Sequence, residues 1–308
     1  MVIPLSHLPI ELALEILRLA CCAEGGHEDS QWPQSRAKIY KTASTLALVS
    51  PEVRRGVMPH LLHTVVLNSQ ASVTFFLRTV DQQRKLNSIG SRLKLDYTKY
   101  VRRIWSTECY QPFAEHPEMP LHDYRLLYDL FGKVQTLGFN FKSLHLLYEV
   151  IGGSQPDSLA SWTYKRVTFA GTLPMWNYIT STSAGLSFLN HITHLTIWST
   201  VYSVFGDTPS DAHTVPNWMR NVPFHLMPNL RHFAFSLIRA KGSTTTPVLV
   251  YTLPSTESPK IFLDWAVAPD PLKHGSLIHV NVVQPAGGVV SDSSWELAYY
   301  RGENGCWP

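Results

Sequence analysis

The sequence predicts an α/β protein in which a helical N-terminal module, residues 5–61, leads into an irregular α/β repeat region, residues 62–308, that carries a parallel sheet. Three observations predict it. Apolar residues recur at helical spacing near the N-terminus, short strand-like runs alternate with helical stretches from Leu61 onward, and five of those runs align without gaps.

The first helix is predicted to open at Pro9, whose fixed φ suits the first helical position, and to run through Ala20. Ile10, Leu14, Leu17 and Cys21 form one stripe, and Leu12, Ile16 and Leu19 widen it until more than half the circumference is apolar. Such a helix requires covering on two sides. The polar, glycine-containing stretch Glu24–Ser35 reads as a surface loop. Helical character resumes over Ile39–Val49, and a Ser50 cap followed by Pro51 starts a short helix to about Met58, with Pro59 marking its end or a kink.

Strand-like runs follow at His63–Leu67, Val101–Ser106, Val134–Phe139, Tyr164–Phe169, Ile192–Trp198, Leu230–Leu237, Val248–Leu253, Ile261–Trp265 and Leu277–Val283. Ser72–Arg84, Leu121–Phe131 and Ser143–Ile151 have the apolar spacing of helices. Alternating strand and crossover implies parallel pairing. Within five runs the pattern apolar-x-x-apolar repeats, anchored at Ile104, Leu137, Val167, Leu195 and Phe233 in steps of 33, 30, 28 and 38 residues. Phe139, Phe169, Ile197 and Phe235 add a third apolar position, which Ser106 interrupts in the first run. This pattern resembles a leucine-rich repeat over residues 62–285, without the asparagine at the turn and with aromatics replacing many leucines. The resemblance implies an α/β solenoid.

The segment Leu8-Pro9-Ile10-Glu11-Leu12-Ala13-Leu14-Glu15-Ile16-Leu17 resembles the opening of an F-box, and Leu46-Ala47-Leu48-Val49-Ser50-Pro51-Glu52-Val53-Arg54 resembles its second half. His60–Leu67, with the helix at Phe75-Phe76-Leu77, is similar to the strand and helix that succeed the F-box in fungal F-box-like proteins. About twenty residues, Cys22 to Lys41, separate the two halves, and the tryptophan common near the motif's end is missing. The resemblance implies a substrate receptor of a Skp–cullin–F-box ubiquitin ligase. It implies an interface to the Skp-family adaptor, and through it cullin, made by Leu8, Pro9, Ile10, Leu12, Leu14, Ile16, Leu46 and Val49. A few such anchors, at about 1.5–3 kcal/mol for each fully buried large side chain, would dominate the binding energy. The alternative is a scaffold whose N-terminal helices only cap the solenoid.

On parallel strands, residues alternating with the apolar anchors face the other way. Arg103, Thr136, Arg166, His194 and His232 then form one column, and Trp105, Gly138, Thr168, Thr196 and Ala234 the next. Four members of the first column can be cationic. Arg103, Arg166, His194 and His232 are therefore candidates for holding an unknown protein cargo through an acidic or phosphorylated segment, and Trp105 and Trp198 are candidate aromatic anchors for it. An ordinary solvated sheet face is the alternative.

Composition narrows the classes. The 308 residues are 44% hydrophobic and 16% charged, with 26 Lys and Arg against 23 Asp and Glu and a net charge of +3, so the chain folds and has an apolar surface. No long basic block exists, so nucleic-acid and membrane-surface partners are not expected. Cys21, Cys22, Cys109 and Cys306 lack CxxC spacing and read as free thiols. The N-terminal stretch lacks a basic leader region and carries Glu11, Glu15 and Arg18, which favours a cytoplasmic or nuclear location. Phosphate-loop, dinucleotide, nucleophile-elbow and zinc-helix motifs are missing, so neither enzyme activity, a cofactor nor a metal site is expected.

Overall fold

The computed structural model describes residues 11–13, 15–17, 41–107, 124–153, 162–171, 173–199, 217–236, 248–252 and 279–283. Residues 11–13 and 15–17 are helical. Two helices follow, α1 (Lys41–Leu46) and α2 (Pro51–His63), and α2 feeds β1 (Thr64–Leu67) directly. Next come α3 (Gln70–Ser88), α4 (Tyr97–Tyr100), β2 (Arg103–Ser106), a 3-10 turn (Tyr124–Leu127), α5 (Tyr128–Lys133), β3 (Thr136–Asn140) and α6 (Leu144–Gly153). The later elements are β4 (Arg166–Gly171), α7 (Trp176–Thr180), α8 (Ser183–His191), β5 (His194–Ser199), β6 (His232–Ser236), β7 (Val248–Thr252) and β8 (His279–Val283).

The eight strands form one open sheet in chain order. Strands β1 to β6 pair in parallel, and the five anchors of the sequence pattern are register partners: Ile104 with Leu137, then Val167, Leu195 and Phe233. Each is fully enclosed. Phe139, Phe169, Ile197 and Phe235 form the next row of the same face. Helices cover it: α3 through Val73, Leu77 and Val80, α6 through Leu146, Leu147 and Val150, and α8 through Phe188 and Leu189. The α3 set is spaced by four and three residues, and the α6 and α8 sets add adjacent pairs that widen the stripe, so one face of each helix is consumed by the core.

Parallel pairing does not continue as the sequence suggests, because β7 and β8 are antiparallel to their neighbours. The stretch between β6 and β7, residues 237–247, is shorter than the dozen or more residues a parallel crossover needs. The Ile261–Trp265 run lies outside the described residues. A second correction concerns α2, which passes through Pro59 and ends at His63. Proline inside a helix costs about 3 kcal/mol. Met58 and Leu62, on either side of Pro59, are both buried in the core shared with the sheet, and side chains of that size contribute about 1.5–3 kcal/mol each. Packing thus overrides the local breaker, and the residue 61/62 boundary falls inside α2.

The row through Trp105 on the opposite face of the sheet is also buried. Thr168 and Thr196 are buried and Trp105 and Ala234 fully so. The Trp105 and Trp198 rings lie 6.1 Å apart at 43° and form a second cluster with Ala170 and Val66. The predicted outward column containing Trp105 is therefore no open surface. The strand Arg103–Ser106 has apolar residues pointing both ways, the pattern of a parallel strand buried on both faces. Among the described residues no helix is long and apolar enough to cross a membrane.

Candidate functional site

The helical residues before β1 carry the most exposed part of the predicted adaptor surface. Leu12 is 53% exposed and Ile16 46%, while Leu48 and Val49, in the turn after α1, are 84% and 66% exposed. Leu46 is half-buried and Ala43 of the same helix is buried. Ser50 ends this turn by accepting a hydrogen bond from the Val53 backbone N–H at 3.2 Å, which starts α2 as the sequence predicts. Leu8, Pro9, Ile10 and Leu14 lie outside the described residues.

The predicted cargo column divides. Arg103, Arg166, His194 and His232 are half-buried, and Arg103, Thr136, Arg166, His194 and His232 are successive register partners across five strands. Parallel register brings the two imidazoles into a stack, centroids 4.2 Å apart and planes 19° off parallel. Trp105 and Trp198, by contrast, are enclosed in the second cluster and do not stand open to a cargo.

Burial changes the charge expected of this row. Desolvation, followed by the neighbouring His232, Arg166 and Lys165, lowers His194 to about 3. Burial and then Arg166 lower His232. His63, beside the same row, is lowered by burial, then by Arg103, Arg102 and His60. The Thr193 hydroxyl donates to the Lys165 carbonyl at 3.1 Å, and its Oγ1 lies 2.7 Å from His194 Nδ1. His194 is thus neutral near pH 7, and the positive charge of the row comes from its arginines rather than from four cations.

Two further features escaped the sequence pattern. A cleft of about 440 Å³ opens between α3, α4 and α5, lined by Gln83, Arg84, Lys94, Tyr97, Tyr100 and Asp129. Arg84 Nη2 donates to Asp129 Oδ2 at 3.1 Å across it, and Gln83 Oε1 accepts the Leu95 N–H at 2.7 Å. Burial raises Tyr97 and the nearby Arg54 partly opposes the rise. Beside the cleft, Arg54 and Arg55 of α2 meet Arg92 and Lys94. Their separation in sequence hides this meeting from any motif search. Comparison of the chain with protein-family models, with curated proteins and with solved structures finds no match in any of the three.

Proposed function

We propose that the protein is the substrate receptor of a Skp–cullin–F-box type ubiquitin ligase. The N-terminal helices hold the adaptor and the repeat region receives a protein cargo, the Arg103–Arg166–His194–His232 row being its candidate surface. The observation that carries the reading is the exposure of Leu12, Ile16, Leu48 and Val49 within the two segments that resemble the F-box. Apolar groups of this size left in water favour association, each contributing up to about 1.5–3 kcal/mol on full burial. The chemistry of ubiquitin transfer belongs to other subunits, so this chain contributes binding and placement.

A second reading has its own support. Val57, Met58 and Leu62 of α2 are buried, which suits a helix that caps the β1 end of the sheet in a scaffold protein. Co-expression with a Skp-family adaptor separates the two. The receptor reading expects a stable one-to-one complex, and Leu12→Asp combined with Leu48→Asp loses it while the melting temperature stays within a few degrees of the parent. A double variant that still co-purifies with the adaptor, or a parent that never does, leaves the scaffold reading in place.

A further inference from the structure

The connection after α3 is shaped by one glycine. Gly90 has φ +65°, and its N–H donates to the Asn87 carbonyl while the Ser91 N–H donates to the Leu86 carbonyl at 2.9 Å. This pair of bonds closes the helix and reverses the chain. Ser91 Oγ then accepts the Leu93 N–H at 3.2 Å, so Arg92 and Lys94 are placed by a hydrogen-bonded turn. The turn lies against α2, because Arg55 Nη2 donates to the Arg92 carbonyl at 3.1 Å.

The result is a shallow notch lined by Arg54, Arg55, Arg92 and Lys94 together with Pro51 and two leucines. Among the described residues no carboxylate lines it. Glu52 is exposed on the first turn of α2, and Asp96 is engaged in capping α4, its Oδ1 accepting from the Thr98 N–H and hydroxyl. None of the four cations has an ion pair among the described residues. Arg54 Nε is buried and has no hydrogen-bond partner among the described residues. A buried donor left unsatisfied carries an uncompensated desolvation cost. Gathering three further like charges beside it adds repulsion that an anion would remove.

We infer that this notch is a binding site for a phosphate group. Arg54 and Arg55 reach it from a helix and Arg92 and Lys94 from a fixed turn, so charge-assisted hydrogen bonds converge from two elements on one anion. A doubly charged group with three acceptor oxygens matches several guanidinium donors at once, and Arg55 keeps donors to spare after its bond to Arg92. The α2 N-terminus adds a field of the same sign, since Pro51 stands at its first position. Arg55, Arg92 and Lys94 are exposed, so the notch holds one side of the anion and leaves the other to whatever carries it. The site is independent of the ligase reading and survives its failure.

The test titrates the full chain with inorganic phosphate while following the arginine Nε–H resonances, against sodium chloride at matched ionic strength. The Arg54 and Arg55 signals should move saturably with phosphate, and Arg54→Gln with Arg92→Gln should weaken the response at least tenfold. Gly90→Ala alters no charge but disfavours the turn, and it should weaken binding at least threefold. A phosphoserine peptide that binds at least tenfold tighter than inorganic phosphate identifies a phosphorylated protein segment as the source, and equal affinity identifies free phosphate. The inference is overturned by a response that is linear and matched by chloride, or by wild-type affinity in either variant.

Discussion

Leu48 and Val49 stand open beside α1, whereas Leu137 and Leu195, of similar size and polarity, are wholly enclosed in the sheet. The difference is one of neighbours. An inner strand of the parallel array, such as β3 or β5, has a strand on either side and a helix over its core face, so its apolar residues are covered by the same chain. Helix α1 has α2 beneath it and Ala47 packs against the core, while Leu48 and Val49 face outward. Apolar surface at the first place has been used for folding, and at the second it remains exposed.

The largest expected effect lies in the sheet. Leu137→Ala should lower the unfolding free energy by about 2–5 kcal/mol, measured by denaturant titration, because the enclosed row cannot collapse around the lost volume. A loss below about 1 kcal/mol would contradict the enclosure of that row. Next in size is a pH effect. His194 is held at about 3 in the folded protein and His145, by burial alone, at about 4. The unfolded chain takes up these protons below about 6.5, so it binds more protons than the folded form between that value and 3–4. Stability is therefore complete above pH 6.5 and declines as the pH falls towards 4, by less than about 1.4 kcal/mol per pH unit for each histidine. Thermal denaturation at pH 7 and pH 5 should show it, and His194→Asn should flatten the difference; identical profiles for parent and variant would contradict the assignment. The smallest effect is at the open end, where Leu48→Ala should change stability by no more than about 0.5 kcal/mol in the isolated protein. A larger loss would mean that Leu48 packs within its own chain.

Much of the sheet was legible because parallel pairing imposes a period that survives variable connections. The anchors from Ile104 to Phe233 align in sequence and are partners in space. Helix α3 extends at both ends beyond the predicted Ser72–Arg84, because Ser69 and Ser72 exchange capping hydrogen bonds at one end and Gly90 stops the helix at the other. Two things were not legible. Alternation identifies two faces of a strand but not whether the second is covered, so Trp105 read as exposed although the apolar pair Ile104-Trp105 already pointed both ways. The arginine notch joins residues 37 apart through a turn whose direction depends on one φ angle, and no local spacing encodes it.

The chain-order arrangement of the strands also bears on how such a protein can change over time. Steps of 28 to 38 residues join anchors that still meet their partners in register, so the segments between strands absorb insertions and deletions without shifting the ladder. Each strand touches only its predecessor and successor, and a length change in one connector disturbs a single junction. The connecting segments are therefore open to diversification one at a time, while the buried rows hold their alignment.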